Sequence, residues 1–245
     1  MKEINGNVQE NKNCVELKKN DRMKMSIHGE PYVSVCDQNP EGLILLPKDI
    51  YLAAKKLGMT TQDFYNKFCH VALQPSDYFW VGFKAVRKKC PFSCDGGCRI
   101  ADAMPRLCAS FPVLDLANPL DTSEHSYSQF LGSGPHCDAP YTVAEWLSRR
   151  GVDLEDPDTN RYYEVLGKWM KACAIYAVIQ RHPVRPLDAR LAIQTLYAAY
   201  DTSKNFSEQF AQNSKQFLEP LNRTVRKTLG MGKEFDLGDC GFVIR

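Results

Sequence analysis

Four of the ten cysteines in this chain lie close together, between residues 90 and 108. They are Cys90, Cys94, Cys98 and Cys108, and the turn-forming residues among them are Pro91, Gly96, Gly97 and Pro105. Glycine lets the backbone fold sharply and proline restricts it, so this segment can gather its thiols into a compact loop. Thiolates that converge on one point repel each other unless a cation lies between them. The segment therefore predicts a site for a soft metal ion or an iron–sulfur cluster.

The intervals between these cysteines do not identify the metal. Cys90, Cys94 and Cys98 follow one another at intervals of four residues, and Cys108 comes ten residues after Cys98. Neither the paired Cys-x-x-Cys of zinc fingers nor the bacterial ferredoxin run has this spacing. The clustering indicates metal binding, and zinc and a four-iron cluster both stay open.

Two cysteines outside the segment are further ligand candidates. Cys36 lies between two short apolar runs that we expect to be extended pieces around a loop. Cys137 follows a long polar stretch, residues 117–140, which we predict to be a loop that returns to the site. The predicted metal ligands are Cys36, Cys90, Cys98, Cys108 and Cys137, with Cys94 as a competitor of Cys90.

Buried thiols that act as small hydrophobic side chains are the alternative for each of these cysteines. We favour that alternative for Cys69 and Cys173, because both fall on apolar stripes of predicted helices. His136 lies beside Cys137, and we expect it to be a solvated loop residue. The five histidines are scattered, so the sequence defines no cysteine–histidine pair for nucleophilic catalysis.

Composition limits the classes of function. The formal net charge of +2 does not indicate a nucleic-acid-binding surface. The first residues are polar, and no uncharged run is long enough to span a bilayer, so we expect a cytoplasmic protein without a membrane segment. Thiols in that compartment are kept reduced, which argues against a disulfide framework.

The elements that must position the cysteines are mostly predicted helices. Residues 1–31 are polar and predict a loosely held arm, and residues 32–140 form the cysteine-cluster metal-binding domain. Within that domain we predict helices over 47–58 and 62–73, and the aromatic run over 78–83 is compatible with a strand or with the wall of the cysteine loop. Residues 141–245 form a helical region, compatible with the same domain, with helices over 144–150, 160–182, 187–200 and 205–229, the last of which we expect to be interrupted or bent at Pro220. We thus expect a mainly α fold, with an irregular cysteine-rich metal-binding loop region packed on helices.

The order of residues around the cysteines resembles the YkgJ-like cysteine-cluster family, also known as CxxCxxCC proteins. The family has an Ile-x-Leu-x-x-x-Asp-Ile phrase after its first cysteines, and residues 44–50 after Cys36 look similar. Residues 90–92 match its Cys-x-Phe phrase, and residues 98–112 keep its cysteines, Ile, Pro and Phe-Pro in register. The family's Tyr and two Arg in that stretch are replaced here by Ala101, Met104 and Ala109.

This resemblance implies a protein that chelates zinc or a four-iron cluster. The family also resembles flagellin lysine N-methylases, which implies an iron–sulfur-dependent lysine N-methylase as an alternative function. A redox-sensing or adaptor module that binds a protein partner through its C-terminal helices is a third possibility.

Overall fold

The structure is a computed structural model that describes residues 14–26, 43–73, 79–86, 89–95, 97–115, 126–131, 135–180 and 186–239. The helices are α1 (Pro47–Lys56), α2 (Thr61–Phe68), α3 (Arg106–Ser110), α4 (Val143–Arg149), α5 (Pro157–Gln180), α6 (Pro186–Ile193) and α7 (Phe206–Leu229). The strands are β1 (Cys14–Leu17), β2 (Arg22–Ser26), β3 (Cys69–Leu73), β4 (Phe79–Phe83), β5 (Ser93–Cys94), β6 (Gly97–Cys98), β7 (Val113–Asp115), β8 (Tyr127–Phe130) and β9 (His136–Thr142).

The prediction of a mainly α fold is wrong. Helix accounts for 52% and strand for 20% of the described part of the chain, which makes the fold mixed α and β. The strands form four small antiparallel sheets, ordered β1-β8-β7, β2-β9, β3-β4 and β5-β6. Even the cysteine-rich segment contributes strands, where the sequence predicts only an irregular loop.

Two strands of these sheets come from the predicted N-terminal arm. Strand β1 pairs with β8 over Cys14↔Phe130 to Leu17↔Tyr127, and β2 pairs with β9. Strands β8 and β9 lie in the stretch that polar composition predicted to be a long loop. Pairing between segments more than a hundred residues apart leaves little trace in local composition, which is why these strands were not predicted.

The first two helices show how local signals and long-range pairing compete. Proline at the first position opens α1, and the Thr60 hydroxyl caps α2 by accepting from the Asp63 N–H at 3.0 Å. Helix α2 ends at Phe68 instead of continuing to residue 73, because the chain then becomes β3. That strand pairs with β4 from Cys69↔Phe83 to Leu73↔Phe79. The aromatic run, which the sequence left open between a strand and the wall of the cysteine loop, forms β4 over Phe79–Phe83.

The C-terminal helices follow their local signals closely. Asn205 caps α7 by accepting from the Glu208 N–H at 3.1 Å, and Gly230 ends it in the left-handed conformation at φ 67°. Pro220 lies inside α7, which continues through it, so the helix is not interrupted there. A π-helical segment, Gln194–Ala198, follows α6 directly. None of the helices within the described ranges is both long and apolar enough to cross a lipid bilayer.

The described residues form two hydrophobic clusters. The first core joins α1, α2 and β4 to the cysteine segment and to α5, α7 and the π-helical segment. The second core joins β1, β2, β7, β8 and β9 to α4. Helix α3 lies between them, because Leu107 and Cys108 pack on the first core and Ala109 packs on the second. The first core therefore contains residues from both sides of the boundary predicted at residue 140.

Candidate metal centre

The cysteine segment is anchored to the first core by an aromatic side chain between its first two cysteines. Phe92 is 1% exposed, and its ring lies parallel to that of Phe64 with the centroids 5.7 Å apart. The centroids of Phe68 and Phe83 lie 4.8 and 5.1 Å from it. Four rings from α2, β4 and the cysteine segment thus form one aromatic cluster. The burial of Phe92 holds the start of the cysteine segment against the first core.

Backbone hydrogen bonds shape the loop beyond Phe92. The N–H of Ser93 donates to the Cys90 carbonyl at 3.1 Å, and the N–H of Arg99 donates to the Phe92 carbonyl at 2.9 Å. Strands β5 and β6 form a tight hairpin in which Cys94 lies opposite Gly97. Gly97 has φ 153°, a backbone conformation that glycine adopts without a steric penalty. The guanidinium of Arg99 also donates to the Pro91 carbonyl and closes the loop.

The hairpin register separates Cys94 from Cys98. Cys98 lies opposite Ser93, one position along from the Cys94 and Gly97 pair, so the two thiols project from opposite faces. Cys94 is exposed, and its Sγ donates to the Gly97 carbonyl at 3.4 Å. Cys98 is half-buried and packs against the first core. Cys98 therefore faces the interior, whereas Cys94 faces solvent.

Cys108 is carried by α3, a single helical turn held at both ends. At its start, the Arg106 N–H donates to Oδ1 of Asp49 at 2.9 Å. At its end, Trp146 Nε1 donates to the Ser110 carbonyl at 2.9 Å. Arg150 Nε donates to the Ala109 carbonyl at 3.0 Å. These bonds set how the helix presents Cys108 to the first core.

Three of the predicted ligands thus border one core, and the two others that the structure describes do not. Cys90 is buried in the first core, and the half-buried Cys98 and Cys108 pack against the same core. Cys137 is exposed on β9, opposite Met25 of the second core, and its Sγ lies 3.8 Å from the Met25 carbonyl oxygen. Cys36 lies outside the described residues. Among the residues that are described, no three His, Cys, Asp or Glu side chains come together in a group that could hold a metal ion.

The two cysteines predicted to be core residues are buried. Cys69 and Cys173 both belong to the first core, which confirms that prediction. Cys69 begins β3 and does not lie within α2. Burial raises the pKa of the Cys69 thiol to about 12, against the opposing effect of the Lys84 ammonium. His136, expected on a solvated loop, is a half-buried residue of β9.

These exposures predict the order in which thiol reagents modify the protein. Iodoacetamide reacts with the thiolate, so an exposed thiol reacts far sooner than a buried one of high pKa. We expect Cys94 and Cys137 to be alkylated first under native conditions and Cys69 last, at least tenfold more slowly. Peptide mass spectrometry over a time course measures this, with labelling in denaturant as the control. Equal native rates for Cys69 and Cys94 would contradict the structure.

A carboxylate that the sequence analysis missed lies beneath α3. Asp49, at the third position of α1, accepts from the Leu46 N–H at 2.8 Å and from the Arg106 N–H at 2.9 Å. Burial raises its pKa to about 6, although both hydrogen bonds and the charges of Arg106 and Lys48 act in the opposite direction. An acid at this helix position is a capping-box signal, so the sequence could have indicated the bond to Leu46 but not the one to Arg106.

Arg106 extends this contact toward the second core. Its Nη1 donates to the Asp153 carbonyl at 2.7 Å, and its Nη2 lies 3.6 Å from Oδ2 of Asp115 on β7. Both side chains of this ion pair are largely buried. One residue at the start of α3 therefore links α1, β7 and the loop after α4, and it lies two positions before Cys108.

Comparison with known proteins adds no relative to this description. No protein-family model, no curated protein and no solved structure matches the chain.

Proposed function

We propose that this chain is a metal-binding protein that holds zinc or an iron–sulfur cluster through Cys36, Cys90, Cys98 and Cys108. The observation that carries the proposal is the common location of the last three thiols. They border one apolar core within a single hydrogen-bonded segment. Tetrahedral zinc and a four-iron cluster each take four thiolate ligands, so the number and softness of these donors suit both.

Cys36 is the fourth donor in this proposal because the chain can bring it to the same core. The described chain resumes at Leu43, which is buried in the first core, and the Leu45 N–H donates to the Val81 carbonyl at 2.8 Å. An extended residue spans up to about 3.5 Å, so Cys36 lies within about 25 Å of Leu43. The described donors form no group of three by themselves, so metal binding in this proposal both brings Cys36 to this core and draws the other three thiols together.

Two of the predicted ligands are left out of the proposed set. Cys94 faces solvent across the hairpin from Cys98, and its thiol is hydrogen-bonded within the turn. Cys137 is exposed on the strand that pairs with β2, on the side of the second core. Neither lies against the core that Cys90, Cys98 and Cys108 share.

The proposed function of the metal is to tie three segments of the chain together. Cys36 precedes α1, Cys90 precedes the β5–β6 hairpin that Cys98 ends, and Cys108 lies on α3. When bound, the metal supplies positive charge that keeps the thiolates deprotonated beside an apolar core. The residues of the chain supply the framework, through the burial of Phe92 and the bonds at both ends of α3.

Metal analysis of protein purified without oxygen tests this proposal. We expect stoichiometric zinc or iron, with a visible absorption spectrum in the case of an iron–sulfur cluster. Cys36→Ser and Cys108→Ser should each lose at least tenfold in metal affinity, because serine is a poor ligand for a soft metal. Cys94→Ser is the matched control, since it makes the same change at an exposed thiol of the same loop and should retain the metal.

Two results would contradict the proposal. One is a wild-type protein that contains no stoichiometric metal after anaerobic purification and is unaffected by chelators. The other is metal retention by Cys36→Ser together with metal loss by Cys137→Ser, which would replace the proposed ligand set.

A further inference from the structure

A buried carboxylate lies where three helices begin. Lys48, Asp158 and Ser207 are each the second residue of their helices, α1, α5 and α7. Lys48 Nζ lies 3.0 Å from Oδ2 of Asp158, and Ser207 Oγ donates to the same oxygen at 2.8 Å. The Asp158 side chain is only 5% exposed. One oxygen of this carboxylate therefore joins the starts of three helices.

The other carboxylate oxygen of Asp158, Oδ1, is also buried, and no donor within the described ranges reaches it. Asp158 lines a cavity of about 160 Å³ that is partly open to solvent. The enclosed part of this cavity has room for about one water-sized group. A buried acceptor without a donor is unfavourable, so the cavity favours a ligand that donates a hydrogen bond.

The other side chains that line the cavity are either apolar or already bonded. Lys48 Nζ lies 2.7 Å from Oδ1 of Asp156, and Thr159 Oγ1 donates to Oδ2 of Asp156 at 2.7 Å. The Tyr162 hydroxyl is hydrogen-bonded to a second tyrosine at 2.7 Å. The remaining lining residues are Leu46, Pro47, Phe206 and Phe210. Among these lining side chains, the atom that lacks a partner within the described residues is therefore Oδ1 of Asp158.

The charges around this cavity favour a cation as the donor. Two carboxylates, Asp156 and Asp158, share the single ammonium group of Lys48, which leaves one net negative charge in this cluster. The N-terminus of α5 offsets about half of that charge. A charged donor forms a stronger hydrogen bond to a carboxylate than a neutral donor does.

We propose that this cavity is a binding site for the ammonium group of a small primary amine. One N–H of the ligand donates to Oδ1 of Asp158, and its first carbon contacts the aromatic rings that line the cavity, which attract cations. A water molecule fits less well, because a buried water takes about two to four polar partners and these side chains offer one free acceptor. None of the cysteines takes part, so the amine site and the metal site can be tested separately.

Titration of the ¹⁵N-labelled protein with methylammonium chloride tests this proposal. Tetramethylammonium chloride is replaced by methylammonium chloride at constant ionic strength, because the quaternary ion has no N–H and is too large for the enclosed part of the cavity. A ligand of two non-hydrogen atoms binds weakly, so we expect a Kd on the order of 10 mM. The amide signals of Thr159 and Phe210 should shift, and the ligand methyl should show nuclear Overhauser effects to the ring of Phe210.

Asp158→Asn should weaken methylammonium binding at least about tenfold. Asparagine has one carbonyl oxygen, which Lys48 and Ser207 occupy, so its NH₂ group faces the cavity and repels the ammonium group. Asp102→Asn is the matched control. It makes the same change at an exposed carboxylate that is also paired with a lysine of α1, Lys56, and it should keep the wild-type Kd within twofold.

Shifts and Overhauser effects at the cavity in wild type, with the expected loss in Asp158→Asn, would support the amine site. Absence of both in wild type at concentrations well above this Kd would overturn it, since the cavity would then hold water only. Equal affinity in a folded Asp158→Asn would also overturn it. If this variant does not fold, the Overhauser effects in wild type decide the question, because they locate the ligand without a substitution.

Discussion

Phe92→Ala should lower the free energy of unfolding by about 3–5 kcal/mol, the range typical for removing a buried aromatic side chain. The Phe92 ring is almost completely buried and contacts the rings of Phe64, Phe68 and Phe83. Alanine would leave a cavity among three rings held by α2 and β4, which cannot close without moving both elements. Urea denaturation of the metal-free protein, followed by circular dichroism, measures the change without a contribution from bound metal.

Val86→Ala is the control for this substitution. Val86 lies just after β4 and is 56% exposed, so we expect a change within about 0.5 kcal/mol. A loss below 1 kcal/mol in Phe92→Ala would show that the aromatic cluster does not anchor the cysteine segment. The expected loss would show that the loop carrying Cys90 and Cys98 depends on the first core for its position.

The second large effect is a dependence of stability on pH that comes from Asp49. Its pKa is about 6 in the folded chain and about 3.9 in an unfolded one, so the folded state binds the additional proton between these values. Stability from the protonated carboxyl is complete below about pH 4 and is lost as pH rises through 6. At 1.36 kcal/mol for each pKa unit, the loss is about 3 kcal/mol.

Comparison with Asp49→Asn isolates this contribution, because the other titrating groups are common to both proteins. The free energy of unfolding of wild type minus that of the variant should fall by about 2–3 kcal/mol between pH 4 and pH 7. The carboxylates of Asp156 and Asp236 have lowered pKa values, each bound to a lysine, so they contribute in the opposite direction and cancel in the difference. A difference that is constant with pH would show that Asp49 is not buried as an acid.

The unfavourable burial of the Asp49 carboxylate indicates that this side chain has a specific structural function. Burial disfavours the ionised form of this carboxyl group, and its two hydrogen bonds and the charges of Arg106 and Lys48 partly offset that effect. The carboxyl group is tolerated because it satisfies the first N–H groups of two helices at once, one of which has proline as its N-cap. Such a group specifies the relative arrangement of α1 and α3 more than it adds to stability.

Much of the helical structure could be predicted from the sequence because its signals are local. Pro47 opens α1, Asn205 caps α7 and Gly230 ends it, and each acts within one turn of its own position. The same holds for Cys69 and Cys173, since apolar neighbours in the sequence indicate burial. The predicted metal ligands rest on clustering in sequence, and Cys36 among them remains a prediction outside the described residues.

The strands could not be predicted in the same way, because their partners lie far away in the chain. Nothing near Cys69 requires α2 to end there; the backbone of β4 supplies the hydrogen bonds that make a strand more favourable than another helical turn. Likewise, strands β1 and β2 exist through their pairing with β8 and β9. The mixed fold is therefore a consequence of tertiary pairing.

The sequence alone determined which residues can do chemistry: a run of thiols, spaced by glycine and proline, that suits a soft metal. Only the tertiary structure decided which of these thiols lie against the first core and which face solvent, because the hairpin register turns Cys94 outward and Cys98 inward. It also placed Cys137 beside a different core and Asp49 beneath α3. Spacing along the chain limits how far apart side chains can lie, whereas packing and hydrogen bonding between distant elements decide which ones meet.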